Sequence, residues 1–219
     1  MKLFGIFSRL SYLDVSIELR WRFYGAKKYY QLFWASRIHS RNMIEHLRKV
    51  LWNQFSASIE MLKGTIALWP DQYWNLNNKI YYLSYHTFLF LDYYLTIPPT
   101  NYTAPLPFTM IPSDKVPPYA VDDLLPNRLY TQKELLESLQ TCEQKCRHVI
   151  FSLTEENMQR VWIDHPDDIA GTATLNYSVH EILLYNLKHV QHHVGQLNLL
   201  LREETGHAVD WVSNAVEHL

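Results

Sequence analysis

The sequence predicts an all-α fold: a four-helix bundle with a long Pro-rich crossover between helices 2 and 3, preceded by a basic N-terminal extension. Three observations lead there. Glycine is scarce, 6 in 219 residues. Apolar residues recur at intervals of three and four over long stretches, the spacing of helices with one buried face. Eight of the ten prolines crowd into residues 96–130, where fixed φ angles and missing N–H donors make an extended, irregular connection.

Residues 1–42 stand apart. Eight basic side chains against Asp14 and Glu18 give this stretch a balance of +6, so the remaining chain carries −8. Such asymmetry marks a tail, a targeting segment or an appended sequence. Arg9 and Asp14 interrupt the one apolar run, which makes a poor signal peptide and is too short to span a bilayer. Met43 opens the domain, residues 43–219, and the expectation is that translation begins there; the competing reading is a basic, aromatic helix lying on the bundle or a membrane surface.

Asn42 and Glu45 have the spacing of a capping box, and Ile44, Leu47, Leu51, Phe55, Ile59, Leu62 and Ile66 follow at helical intervals. Trp69-Pro70 ends this first helix. A short turn leads to the second, Ile80 to Leu95, which stops before Pro98-Pro99, and so short a link predicts antiparallel neighbours. After the proline-rich connection, Thr131 and Glu134 form a capping box for a third helix running to about Leu153. Residues 154–177 read as a helical turn and a small hairpin, strands 160–163 and 172–177, around a solvated acidic turn with Asp164, His165, Asp167 and Asp168. Ser178 and Glu181 cap the fourth helix.

That last helix carries the chemistry. His189 and His193 lie one turn apart with their side chains offset by about 40°, close enough for both rings to reach one point. The apolar arc of Ile182, Leu183, Val190, Leu197, Leu200 and Leu201 includes or adjoins Asn186, His189 and His193, whereas His192 falls at its edge as a flanking residue. This is metal-ligand spacing, and two core histidines satisfied by hydrogen bonds share it. In the second helix His86 shares a face with Tyr82, Leu83, Leu89, Phe90 and Tyr93, with Ser84 and Asp92 on the opposite side. A histidine in an aromatic stripe needs hydrogen bonds or a cation. His180, nine residues before His189, lies about 13 Å away along the axis, outside any shared shell.

A mid-helix histidine followed much later by His189-x-x-x-His193-x-Gly195-Gln196-Leu197 resembles the DinB-like (DinB/YfiT) superfamily of small metal-binding four-helix bundles. The closing Ala208-Val209-Asp210-Trp211-Val212-Ser213 resembles the tail after that family's last helix, and the likeness covers roughly Met43 to Ser213. The resemblance implies a bundle with a crossover and three ligands, His86, His189 and His193, for a divalent Zn or Ni ion. One departure is Val194, where many members carry arginine. The implied activity is a metal-dependent thiol S-transferase or a related hydrolase, acting on a low-molecular-weight thiol and a small electrophile. Tyr82, Tyr85, Tyr185 and Gln196 are pocket candidates, and no general base is evident. The alternative is a non-catalytic bundle braced by its metal, as a homodimer.

Composition narrows the field further. A net charge of −2 leaves no electrostatic footprint for nucleic acid, and no DNA binding is expected. Cys142 and Cys146 continue the series Leu135, Leu139, Ile150 and Leu153, so they read as buried thiols of a helix face rather than a redox motif. Unpaired thiols suit the cytoplasm.

Overall fold

The computed structural model describes residues 42–76, 78–164 and 175–214. The chain divides into two units after His46, and the second, from Leu47 onward, carries the candidate site. The expectations for residues 1–41, including the extension and the translation start, lie outside the described residues, as does His165.

The described residues are mostly helical. Helix α1 covers residues 42–68, α2 Lys79–Tyr94, α3 Gln132–Phe151, α4 the single turn Glu155–Met158, and α5 Val179–Thr205. Two small antiparallel ribbons accompany them: β1 (Phe108–Met110) pairs with β2 (Leu124–Pro126), and β3 (Val161–Ile163) with β4 (Asn176–Ser178). The periodic residues of α1 do what their spacing predicts, with Leu51, Phe55, Ile59, Leu62 and Ile66 buried. The chain leaves α1 through Trp69-Pro70 and a 3-10 turn, Asp71–Tyr73. Thr131 and Glu134 form the expected reciprocal capping box on α3. At the far end of α5, Gly206 takes the left-handed conformation, φ 74°, and its N–H closes on Arg202 O at 3.0 Å.

Side-chain contacts give the helix directions. Asn186 Nδ2 donates to Leu91 O at 3.0 Å and His189 meets His86, so α5 runs opposite to α2. Arg48 donates to Leu153 O, Lys63 pairs with Glu143 at 2.8 Å, and Gln132 Nε2 donates to Ile66 O, so α1 opposes α3. Tyr81 OH donates to Arg128 O just before α3, while Lys145 Nζ reaches Asp92 at the other end of α2, so α2 and α3 run the same way. A further bond, Gln191 Nε2 to Ser58 Oγ at 2.6 Å, ties α5 to α1.

Every residue of α2 except Lys79 and His86 is buried, so Ser84 and Asp92, expected on the side opposite His86, also face protein; two expectations, on Asp164 and Ser178, need correction. Asp92 is accommodated because Lys145 Nζ donates to its Oδ1 at 2.9 Å, to its backbone O at 2.8 Å and to Thr96 Oγ1 at 2.8 Å. Asp164 is not a solvated turn residue but is buried and accepts a hydrogen bond from Tyr93 OH. Ser178 occupies the N-cap of α5 without a side-chain capping bond. It sits at the end of β4, opposite Val161, so the strand runs one residue beyond its expected end at Tyr177, while residues 172–174 lie outside the described residues. The two cysteines are free and buried as expected, and burial raises both thiol pKa values.

Candidate metal centre

Two helices supply three imidazoles to one point. His86 comes from the middle of α2, held there by burial of almost the whole helix, and His189 and His193 come from successive turns of α5. His189 Nε2 lies 3.0 Å from His86 Nε2 and 3.1 Å from His193 Nε2. The three form a cluster whose ligand atoms all lie within 4.8 Å of one another and could hold a metal ion. His192 is exposed and is not one of the three, although its ring centroid lies 5.0 Å from that of His193. His180 is spent elsewhere, its Nδ1 3.1 Å from Met158 O.

The outward nitrogens fix the tautomers. His86 Nδ1–H donates to Asp122 Oδ2 at 2.6 Å, and His193 Nδ1–H donates to Gln196 Oε1 at 2.7 Å. A neutral imidazole has one N–H, so each of these bonds leaves the Nε2 lone pair facing the cluster. Such outer hydrogen bonds from ligating histidines to carboxylate or carbonyl oxygens orient the ring and raise its basicity. Asp122 is itself anchored, since its Oδ1 accepts the Leu124 N–H at 2.9 Å at the start of β2. Sequence reasoning missed it. Asp122 lies in the proline-rich connection, where no periodicity marks a side chain as inward-facing.

His189 tests the fit of a cation. Its Nδ1 is buried and has no hydrogen-bond partner among the described residues. Were the proton on Nε2, it would satisfy one of the two facing lone pairs and leave Nδ1 orphaned as an acceptor. With the proton on Nδ1, that N–H is equally without an acceptor, and three lone pairs converge within 4.8 Å, an arrangement that a positive charge between them would stabilise. Two nitrogens bound to one ion by ~2.0–2.1 Å bonds stand roughly 2.9–3.4 Å apart for angles between square and tetrahedral. Both short separations fall in that range. The donor set therefore fits a metal ion.

Electrostatics favour neutral rings at His189 and His193. Burial is the main cause that depresses His189 to about 2, helped by the neighbouring His86, His193 and His192. Burial likewise lowers His193 to about 4, against the opposing effect of its hydrogen bond to Gln196. Phe90 and Tyr94 wall the cluster, with ring centroids 5.6 Å and 5.9 Å from that of His189.

Residues 125–218 match the model of the DinB family. Over that stretch the chain is DinB-like. His189, His193 and Gln196 fall inside the matched residues, whereas His86 and Asp122 precede them. No curated protein and no solved structure is matched by the chain.

The remaining pocket candidates divide. Gln196 does border the three-histidine site, through His193. Tyr85 does not: its hydroxyl donates to Leu106 O at 2.7 Å, its ring stacks on Tyr130, and burial pushes its pKa up. Tyr185 stands one ring removed, edge-on to Tyr94, and Tyr82 packs against Tyr81. Of the connection's aromatics, Tyr119 borders a cavity of about 560 Å³ beside His193, lined also by Leu83, Val121, His192, Gln196 and Leu200. Tyr102 instead packs edge-on against Tyr93. Among the described residues no helix is long and apolar enough to cross a membrane.

Proposed function

We propose that residues 43–219 form a DinB-like four-helix bundle with a crossover between its second and third helices, holding a divalent Zn or Ni ion through His86, His189 and His193. The contact pairs that align α2 with α3 and oppose α2 to α5 support the bundle. The carrying observation for the site is the convergence of three Nε2 lone pairs with Asp122 and Gln196 behind two of them. The proposed activity is transfer of a low-molecular-weight thiol to a small electrophile, or a related hydrolysis.

Bound there, a divalent ion would supply Lewis acidity, lowering the pKa of a coordinated thiol or water toward neutrality. The protein's own part is positional. Asp122 and Gln196 hold two rings so that Nε2 faces inward, and the aromatic wall of Phe90 and Tyr94 excludes water from one side. The cavity beside His193 gives a second reactant access from the other. Three protein ligands leave coordination positions open, the arrangement of catalytic rather than closed structural sites. Buried, free Cys142 and Cys146 suit a cytoplasmic setting.

A bracing role remains the second reading, favoured by the fact that the ion would link α2 to α5 across the core. Thiol-conjugation assays on metal-loaded protein decide between them. Conjugation or hydrolysis lost with the metal supports the enzyme; a fully loaded protein inactive with a panel of thiols and electrophiles supports the brace.

A further inference from the structure

The two unburied positions of α2 lie on the same side of the chemistry. His86 enters the metal cluster, and Lys79, at the first position of the helix, lines the cavity beside His193. Around Lys79 the walls are apolar: Leu83, Tyr119, Val121, Leu199 and Leu200, with His192, His193 and Gln196 completing them, and no carboxylate among the lining residues. Three of those walls are exposed despite their chemistry, Leu199 at 54%, Tyr119 at 48% and Val121 at 45%. They come from two separate segments and face one concavity, which is how apolar surface is kept for a ligand.

The charge balance of this corner is one-sided. Lys79, like Lys49, Lys115 and Lys188, makes no ion pair among the described residues, but of these lysines it is the one that lines the cavity. It also stands at the positive end of α2, whose first turn carries no acidic residue, so a cation is placed where the helix dipole disfavours one. An anionic group arriving in the cavity relieves both.

We infer that this cavity binds a small amphipathic acid, its apolar body against Leu83, Tyr119, Val121, Leu199 and Leu200 and its carboxylate at Lys79. The inference rests on the proposed site in one respect: it names the substrate class that would be held beside the metal. The preference for an acid at Lys79 nonetheless does not require the metal, because Lys79 supplies its own positive charge.

Titration calorimetry of the full chain with octanoate and with octanamide, its uncharged counterpart, tests this. The expected result is about fivefold tighter binding of octanoate, the size of effect a partly screened ion pair provides. The preference should vanish in Lys79→Met, and Leu199→Asp should weaken both ligands. Repeating the titration on metal-stripped protein separates the two proposals, since the preference should persist there. A preference that survives Lys79→Met but disappears on metal removal would put the carboxylate on the ion and overturn the assignment. Equal affinity for acid and amide, or no binding of either, overturns it as well. Metal content of the same samples reports separately on the three-histidine reading.

Discussion

Each of the three histidines is held by a different set of partners, and the partners predict how each variant behaves. Replacing His86 or His193 by Ala should abolish stoichiometric metal, whereas His192→Ala, altering an exposed ring outside the convergence, should keep most of it. Elemental analysis of the three variants checks this, and equal loss in all three would reject the assignment of faces. Asp122→Ala removes the acceptor that sets the His86 tautomer. It should weaken metal affinity by about 10–100-fold, with Asp122→Asn losing less; competition against a chelating dye measures it, and an unchanged affinity would contradict the role. The depressed pKa values of His193, about 4, and His189, about 2, carry a pH dependence. Below about 6.5 the unfolded chain takes up protons at these imidazoles that the folded chain refuses, so folding stability falls with pH. For metal-free protein the full stability is present above about pH 6.5 and is lost progressively toward pH 4 and below. Denaturant melts across that range should show a falling midpoint; a flat profile would mean that the rings are protonated in the fold.

The elements are pinned together by a few buried polar contacts set among apolar packing. Lys145 stitches α3 to the end of α2 by donating to Asp92 and Thr96, and Asp92 is almost wholly buried. Lys145→Met keeps the apolar stem but leaves that carboxylate unpaired, so unfolding should be easier by about 2–3 kcal/mol. Chemical denaturation reads the effect, and metal content should stay unchanged because the contact lies on the α3 side of α2, away from the histidines. Cys142→Ala should lower stability by roughly 1–2 kcal/mol through a small cavity, again without altering metal content. α2 also explains where pattern reading falls short. Its sequence shows an aromatic stripe around His86, and a helix buried on every side shows no polar face by which to orient Ser84 and Asp92. Burial of Asp92 depends on Lys145 arriving from another helix, which local periodicity does not encode.

For the molecule as a whole, the helical architecture and the pairing of His189 with His193 were legible because both rest on periods, whereas His86 joined them only through the family resemblance. Three- and four-residue spacing marked the buried faces of α1, α3 and α5, and the same spacing set His189 and His193 side by side. Asp122 was not legible, since it reaches His86 from the irregular connection, and neither was Lys79, whose role depends on which loop residues face it across the cavity. If the ion braces the fold, its removal should melt the protein, with a loss of several kcal/mol; if it serves chemistry at an open site, the metal-free chain should stay folded with a smaller drop in Tm. Calorimetry of loaded and stripped protein distinguishes these. The most direct measurement is elemental analysis of the native chain purified after growth with added Zn²⁺ and Ni²⁺. One divalent ion per chain, lost in His86→Ala, is the result expected of three imidazoles closing on a common point; native protein without a bound ion, or an ion retained in the variant, would contradict it.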